Sequence, residues 1–395
     1  MNISGSAAIT GIGELKPEIN AGGRSSLDLL SEVANRAIKD AGLKKSDIDG
    51  LLVTPPAEDS CFMWPAQVAE YLKMSPSYIN IVELGGASAC AAITRAALAV
   101  TAGLCRHCLC LSGGIWDSQV FNSQEGKLAV MSRAEIDYEL PYGPMGFNSG
   151  YALIAHRHMY EYGTTAEQMA KIAVDQRQNA LANPDALFNK QAISIEDVLN
   201  SPLIVDPIHL LEIVRPCSGA AAVLVSRWEE AADMPNVPVY LLGMGEACTH
   251  NSIVYSDSIT VSPVKFSAAR AFAMAGLKPA DMDLLSLYDC YPITVIITLE
   301  DAGFCEKGAG GDFVQSHDLT YRGDLPLNTH GGQLSFGQPS YAGGMSHVTE
   351  AVRQLRGTAE KRQIEKNRLA FVNGNGGVMS TQSSLILGRD KNEGR

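Results

Sequence analysis

No stretch of this 395-residue chain holds the roughly 18 to 20 unbroken apolar residues that a bilayer-spanning helix needs. The first residues, Met1-Asn2-Ile3-Ser4-Gly5, lack the basic segment and apolar run of a secretory leader. Both absences point to the cytoplasm. Positive charge is scarce too: 31 Lys and Arg stand against 43 Asp and Glu, a formal net charge of −12. A protein that binds by neutralising phosphate backbones needs the opposite balance, so nucleic acid is excluded as a partner. No segment is of low complexity, and only the polar tail 389–395 reads as disordered. Nine cysteines are present, with Cys105-Arg106-His107-Cys108-Leu109-Cys110 the densest cluster. It lacks the second ligand pair of a structural zinc site, and alternate residues of a strand face opposite ways, so these read as buried thiols rather than metal ligands.

What is present is a repeat. Ala41-Gly42-Leu43-Lys44-Lys45-Ser46-Asp47-Ile48-Asp49-Gly50-Leu51 recurs as Ala275-Gly276-Leu277-Lys278-Pro279-Ala280-Asp281-Met282-Asp283-Leu284-Leu285. A second echo pairs 91–114 with 346–377; each is a helical run, then an apolar strand, then two glycines (Gly113-Gly114 and Gly376-Gly377). At 395 residues the chain exceeds the roughly 250 to 300 at which single cores stop growing, so two lobes are expected. Their bounds read as 1–232 and 239–395, around the linker Asp233-Met234-Pro235-Asn236-Val237-Pro238.

Within each lobe the pattern alternates strand and helix. Strands are predicted at 7–13, 50–54, 107–112 and 220–226, and again at 239–244, 284–288, 369–373 and 383–388. Apolar spacing at Leu27, Leu29, Leu30, Val33, Ala37 and Ile38 predicts a helix capped by Ser25-Ser26 and closed by Gly42. A second such helix is predicted at 264–275. Buried strands joined through helices imply an α/β fold with parallel pairing and right-handed crossovers. A polar insertion at about 116–202 interrupts the first half, with a helix at 168–182 behind the capping pair Thr165 and Gln168. It reads either as a wall of a substrate cavity or as a structural lid.

The loop Asn328-Thr329-His330-Gly331-Gly332-Gln333-Leu334-Ser335-Phe336-Gly337-Gln338-Pro339-Ser340-Tyr341-Ala342-Gly343-Gly344 resembles the thiolase loop N-x-x-G-G…G-H-P…G-x-x-G. With Glu83-Leu84-Gly85-Gly86-Ala87-Ser88, Tyr288-Asp289-Cys290-Tyr291-Pro292-Ile293-Thr294 and Leu299-Glu300-Asp301-Ala302-Gly303-Phe304-Cys305-Glu306-Lys307-Gly308, the whole chain resembles the thiolase superfamily. It is most similar to the lipid-transfer-protein or sterol-carrier-type branch. The resemblance implies duplicated α/β units layered αβαβα. It also departs from the family pattern. Gly86 stands where the family has its nucleophilic Cys, Gln338 where it has the His of G-H-P, and Asn373 where it has the Cys of C-x-G-G-G.

The departures match the aldolase branch of that family, which cleaves 3-hydroxyacyl-CoA thioesters of shortened sterol side chains without the thiolase Cys. The resemblance therefore implies a carbon–carbon lyase of lipid metabolism and steroid degradation, with Tyr291 and Tyr341 as acid and base. Its substrate is a coenzyme A thioester and no cofactor is covalently bound. An unperturbed phenol titrates near 10, so a tyrosine base needs assistance, for which Asp289, His330 and His347 are candidates. Gly376 and Gly377, with Asn373, Asn375 and Gln338, are candidates for holding the thioester oxygen.

Two other readings compete. Cys90, four residues past Gly86 and so on the same helix face, could be a displaced nucleophile of an acyltransferase or thiolase, or else a packed residue among alanines. The chain could also be a non-catalytic acyl-CoA-binding subunit. The resemblance further implies a homodimer joined through a sheet edge, placed at 108–112, and a small zinc-ribbon and OB-fold partner. Arg133, Lys171 and Arg177 are candidates for the nucleotide phosphates, or ordinary surface charge.

Overall fold

In the computed structural model, which describes residues 3–56, 62–118, 123, 128, 131–143 and 146–394, the two copies of the repeated phrase occupy equivalent places in two half-sheets. The first half supplies β1 (Ala7–Glu14), β2 (Gly50–Val53), β3 (Tyr78–Ile81), β4 (His107–Gly114) and β5 (Gly219–Arg227). The second supplies β6 (Val239–Cys248), β7 (Leu284–Leu287), β8 (Leu369–Gly376) and β9 (Thr381–Gly388). Their spatial order is β7-β8-β9-β6-β1-β5-β4-β2-β3. In the first half β2 pairs parallel with β4, β4 antiparallel with β5, and β5 antiparallel with β1. In the second, β7 with β8, β8 with β9 and β9 with β6 repeat those senses in that order. Ala8 and Ile9 join the halves by pairing with Tyr240 and Val239.

The helices that matter here are α1 (Ser26–Asp40), α2 (Ser88–Thr101), α3 (Phe147–Tyr162), α4 (Ala166–Leu181), α5 (Val264–Ala275), α6 (Pro292–Asp301) and α7 (Ala342–Arg356). α1 covers the outer face of the first half-sheet and α5 that of the second, while α2 and α7 pack on each other and touch strands of both halves. This is the αβαβα layering. α1 begins where Ser25 accepts a hydrogen bond from the Asp28 N–H in a capping box. It buries Leu29, Leu30, Val33, Ala34, Ala37 and Ile38, each large apolar side chain contributing roughly 1.5–3 kcal/mol.

Each half uses the same device to bring its outer helix close. A Cβ on Gly11 or Gly13 would lie 2.2 Å from the Ala37 carbonyl oxygen or 2.3 Å from that of Val33. Gly243 and Gly245 stand at 2.1 Å from the carbonyls of Ala271 and Ser267 in α5.

The sheet has two unlike ends. β4 is interior, between β2 and β5, and every one of its residues is buried. The sequence expectation of a dimer edge at 108–112 is therefore corrected: that stretch has no free side, and the terminal strand is β3, with Ile79 42% and Ile81 36% exposed. At the other end the chain covers β7 itself. The Leu285 N–H donates to the Pro326 carbonyl, the Asn328 N–H donates to the Leu285 carbonyl, and the Asn328 side chain exchanges hydrogen bonds with the backbone of Leu287.

The insertion carries α4 with the expected cap, Gln168 N–H donating to Thr165 Oγ1. It also carries α3, which the sequence reading did not assign. No helix among the described residues is long and apolar enough to cross a membrane. Cys105, Cys108 and Cys110 are buried free thiols.

Candidate active site

The centre of the molecule is where the loops of the two halves touch. Leu84-Gly85-Gly86 turns into α2, held by Ser88 Oγ, which accepts from the Leu84 N–H and donates to the Gly85 carbonyl. Gly85 has φ +56°, and a Cβ on it would lie 3.1 Å from Gly376 Cα and Gly377 N. The two glycine loops thus pack backbone against backbone, which side chains would forbid.

The main finding is at Gly86. A Cβ there would lie 2.3 Å from Tyr288 Cζ, 2.4 Å from the Tyr288 hydroxyl and 2.4 Å from the Asn375 carbonyl oxygen. The place where the family pattern puts a nucleophile is filled by a phenol reaching over from the other half. Tyr288 sits just past the end of β7, where its N–H donates to the Asn373 carbonyl at 3.0 Å. Gln338 Nε2 donates to its hydroxyl at 3.0 Å. Burial, reinforced by the nearby Cys290 thiol, pushes the Tyr288 phenol far above its ordinary range, so the hydroxyl keeps its proton. Gly86, Gln338 and Tyr341 are half-buried, so this hydroxyl lies beside an accessible mouth.

Tyr341 caps α7 at that mouth and its hydroxyl faces the Glu83 carboxylate at 3.4 Å. Tyr291 lies deeper: its hydroxyl donates to Asn148 Oδ1, and its ring stacks on Tyr151 with centroids 4.3 Å apart. Burial pushes Tyr291 up as well, with Cys290 and Tyr288 adding to the effect. The sequence reading missed Tyr151, which donates to the Gly377 carbonyl at 2.7 Å and accepts from Asn375 Nδ2 at 2.9 Å.

The expected oxyanion donors divide. Gln338 is in the mouth. Asn373 and Asn375 point to the face of β8 away from α2, where Asn373 Nδ2 donates to Gln382 Oε1, Gln382 Nε2 to Asn375 Oδ1, Ser384 Oγ to Asn373 Oδ1, and Asn375 Nδ2 to the Tyr151 hydroxyl. Both are occupied in a buried amide chain. The Gly376 carbonyl accepts from both the N–H and Oγ of Ser380.

The histidines lie behind the tyrosines. His347 Nε2 is 3.2 Å from Asp289 Oδ1 and its ring centroid 6.1 Å from that of Tyr288. Asp289 in turn accepts from the N–H groups of Gln333 and Leu334. The His330 ring stands edge-on to His347 at 5.1 Å. Burial, helped by His347, drives its pKa well below the ordinary range, so it is neutral.

Cys90 is fully buried, and burial, with the Glu246 charge adding to it, pushes the thiol up to about 12. A Cβ on Gly374 would stand 3.4 Å from its sulfur. It is a packed thiol, not a nucleophile facing a cavity. Of the basic residues, Arg177 is buried, bonded to Ser335 and the Gln191 carbonyl and stacked on Phe188, while Lys171 is held by Asp175 and the His317 carbonyl. Neither is free for a phosphate; Arg133 is exposed and paired with Asp137.

One residue past Gly377, Val378 helps line an open cavity of about 300 Å³ together with Tyr138, Phe147, Ile253 and Val254, floored at Gly150. Its walls are mostly aromatic and aliphatic, with Glu135 and Glu139 also lining it.

The chain is similar to known proteins over nearly its whole length. A family described as Thiolase C-terminal domain-like matches residues 245–389. The chain is 34% identical to a steroid side-chain-cleaving aldolase of Thermomonospora curvata, over 98% of this chain and 99% of that protein. It is 33% identical to an acetyl-CoA acetyltransferase of Methanothermobacter thermautotrophicus, over 92% and 94%. A solved structure described as an Ltp2-ChsH2(DUF35) aldolase is similar at TM-score 0.87 and 34% identity, over 98% of each chain.

Proposed function

The chain belongs to the thiolase superfamily, in its sterol-carrier-type, thiolase-like branch, and from that premise we propose that it is a carbon–carbon lyase. It acts as a retro-aldolase on a 3-hydroxyacyl-CoA with a branched or bulky acyl group, giving a carbonyl compound and a shorter acyl-CoA. The observation that carries this is the phenol in place of the nucleophile: with Tyr288 against Gly86 and Cys90 sealed in the core, neither the family's nucleophile position nor the residue one helical turn on offers a sulfur for an acyl-enzyme. A displaced-cysteine acyltransferase loses its nucleophile for the same reason.

A retro-aldol cleavage needs no covalent intermediate. A base takes the proton of the 3-hydroxyl, the bond between the second and third carbons breaks, and the electron pair passes into the thioester as an enolate that is then protonated. Tyr341 is the base, because the Glu83 carboxylate facing its hydroxyl can take the phenolic proton as the substrate's proton arrives. Tyr291 is the second tyrosine of the site, bonded to Asn148 and stacked on Tyr151, while His347 and His330 stand by Tyr288 as buried polar backing. Gln338, Gly376 and Gly377, with Asn373 and Asn375 shaping their strand, surround the thioester.

Coenzyme A enters as part of the substrate, and the cavity at Val378 takes the bulky acyl end. Copies pair through β3, and a small zinc-ribbon and OB-fold subunit completes the enzyme, a reading supported by the second component named in the similar solved structure. As a CoA-thioester enzyme it is assigned to the cytoplasm.

The test is incubation of the protein, with its partner, with a panel of 3-hydroxyacyl-CoA and 3-oxoacyl-CoA thioesters, and identification of products by mass. Cleavage of the 3-hydroxy compounds, resistance to iodoacetamide, no acyl adduct on the protein, and a loss of about 100-fold in kcat in Tyr341→Phe are expected. An acyl-enzyme, or thiolysis of the 3-oxo compounds, would sink the reading. Substrate size has its own check: Ile253→Trp narrows the cavity and should raise KM about tenfold for ring-bearing acyl groups while leaving short ones alone.

A further inference from the structure

Building on the lyase reading, we propose that Tyr288 is a catalytic residue, whose hydroxyl, seated in the space left by Gly86, delivers the proton to the α-carbon of the departing acyl-CoA. Three features of the fold lead to it. The glycine is no accident of loop geometry: Gly86 has no left-handed backbone to accommodate, yet any side chain there would collide with the phenol. The hydroxyl lies 2.4 Å from where a side chain on Gly86 would begin, at the position that carries the nucleophile in the family pattern. In a thioester the α-carbon is bonded to the carbonyl carbon that such a nucleophile attacks. Gln338 donates to the phenol oxygen, so the hydroxyl's own hydrogen is not spent on that bond, and Gly86, Gln338 and Tyr341 around it are half-buried. Tyr291, by contrast, has its hydroxyl committed to Asn148 and its ring to Tyr151.

The protons balance. Tyr341 takes the 3-hydroxyl proton and passes its own to Glu83; the carbon–carbon bond breaks and its electron pair forms the enolate. Tyr288 gives its proton to the α-carbon and becomes a phenolate, which recovers a proton from Glu83 through Tyr341. The net change is one proton moved from oxygen to carbon, with no oxidant or reductant. A phenol that strongly resists ionisation suits this task, because a thioester enolate is basic enough to take its proton and the phenolate is short-lived.

Microscopic reversibility supplies a test that a merely structural tyrosine would not move. In D2O the wild-type enzyme should wash deuterium into the α-position of the shorter acyl-CoA product, with no carbonyl compound present. Tyr288→Phe should abolish that exchange and lower kcat for cleavage about 100-fold or more, with KM within threefold and the thermal midpoint unchanged. Tyr341→Phe, which cuts the relay between Tyr288 and Glu83, should lose both cleavage and exchange. Gln338→Leu, which leaves the phenol in place, should slow exchange about tenfold. Exchange at the wild-type rate in Tyr288→Phe overturns the assignment while leaving the lyase reading intact. Failure of the wild-type protein to cleave any 3-hydroxyacyl-CoA overturns the lyase reading, and this assignment with it.

Discussion

Replacing Gly86 with alanine is expected to remove all measurable turnover, a larger loss than that of any single tyrosine hydroxyl. The added methyl meets Tyr288 Cζ at 2.3 Å and the Asn375 carbonyl oxygen at 2.4 Å, and neither neighbour can yield cheaply. Asn375 lies in the ladder of β8 opposite Gln382, and Tyr288 is tied by its N–H to Asn373. Overpacking of this kind costs about 1–3 kcal/mol. The phenol must swing out, taking the hydroxyl from the centre and breaking its bond to Gln338. Activity and thermal midpoint, measured on Gly86→Ala and on Gly86→Ala with Tyr288→Ala, separate the effects: the second change should recover part of the lost stability, the contact with the Asn375 carbonyl remaining, and none of the activity. An active Gly86→Ala enzyme would show that Tyr288 can leave without consequence.

The second large effect concerns stability. Glu350 is fully buried in α7, where it accepts from Arg362 through Nε and Nη2, from Thr329 Oγ1 at 2.6 Å and from Gln354 Nε2. Burial alone would raise its pKa, but the Arg362 guanidinium outweighs this and holds the carboxyl at about 2. A carboxylate depressed from its unfolded value of 4.5 to about 2 contributes about 3 kcal/mol by linkage. Because the folded pKa is the lower one, that contribution is whole above pH 4.5 and disappears as pH falls toward 2. Glu350→Ala leaves Arg362 buried without its partner, and the expected loss at neutral pH is about 3–5 kcal/mol. Urea unfolding of the variant and the parent at pH 7 and pH 3 is the measurement. The gap should shrink at the lower pH, and a gap indifferent to pH would refute the assignment. The consequence reaches the site, since Thr329 precedes His330 in the loop that frames it.

The repeat was readable because both copies keep the same punctuation: a glycine closing the outer helix, an aspartate-rich turn, then an apolar strand. Gly11-Ile12-Gly13 and Gly243-Met244-Gly245 add a second signature, each pair admitting a helix carbonyl. β3 escaped notice because it is four residues long and largely exposed, so neither a buried run nor a sharp alternation marks it. Without it, β4 looked like an edge; periodicity says that a strand is buried, not which strands flank it. Tyr288 escaped for a different reason. Its role is set by a glycine about two hundred positions away in the other half, and complementarity between a missing side chain and a large one leaves no local pattern. The absence at Gly86 was legible; what fills it was not. The partners of Asn373 and Asn375 were not legible either: strand alternation turns odd positions of β8 toward Gln382, Ser384 and Tyr151 and even ones toward α2.

The ends of the sheet limit how copies can assemble. Among the described strands, β3 offers unpaired backbone groups on its outer side, whereas the last strand of the second half is already clothed by Pro326 and Asn328. Growth of the nine-stranded sheet by strand addition is therefore self-terminating: two β3 edges meeting about a two-fold axis would leave no further edge of that sheet to recruit another copy. The asparagine that stands in for the missing strand thus works as a stopper against runaway polymerisation.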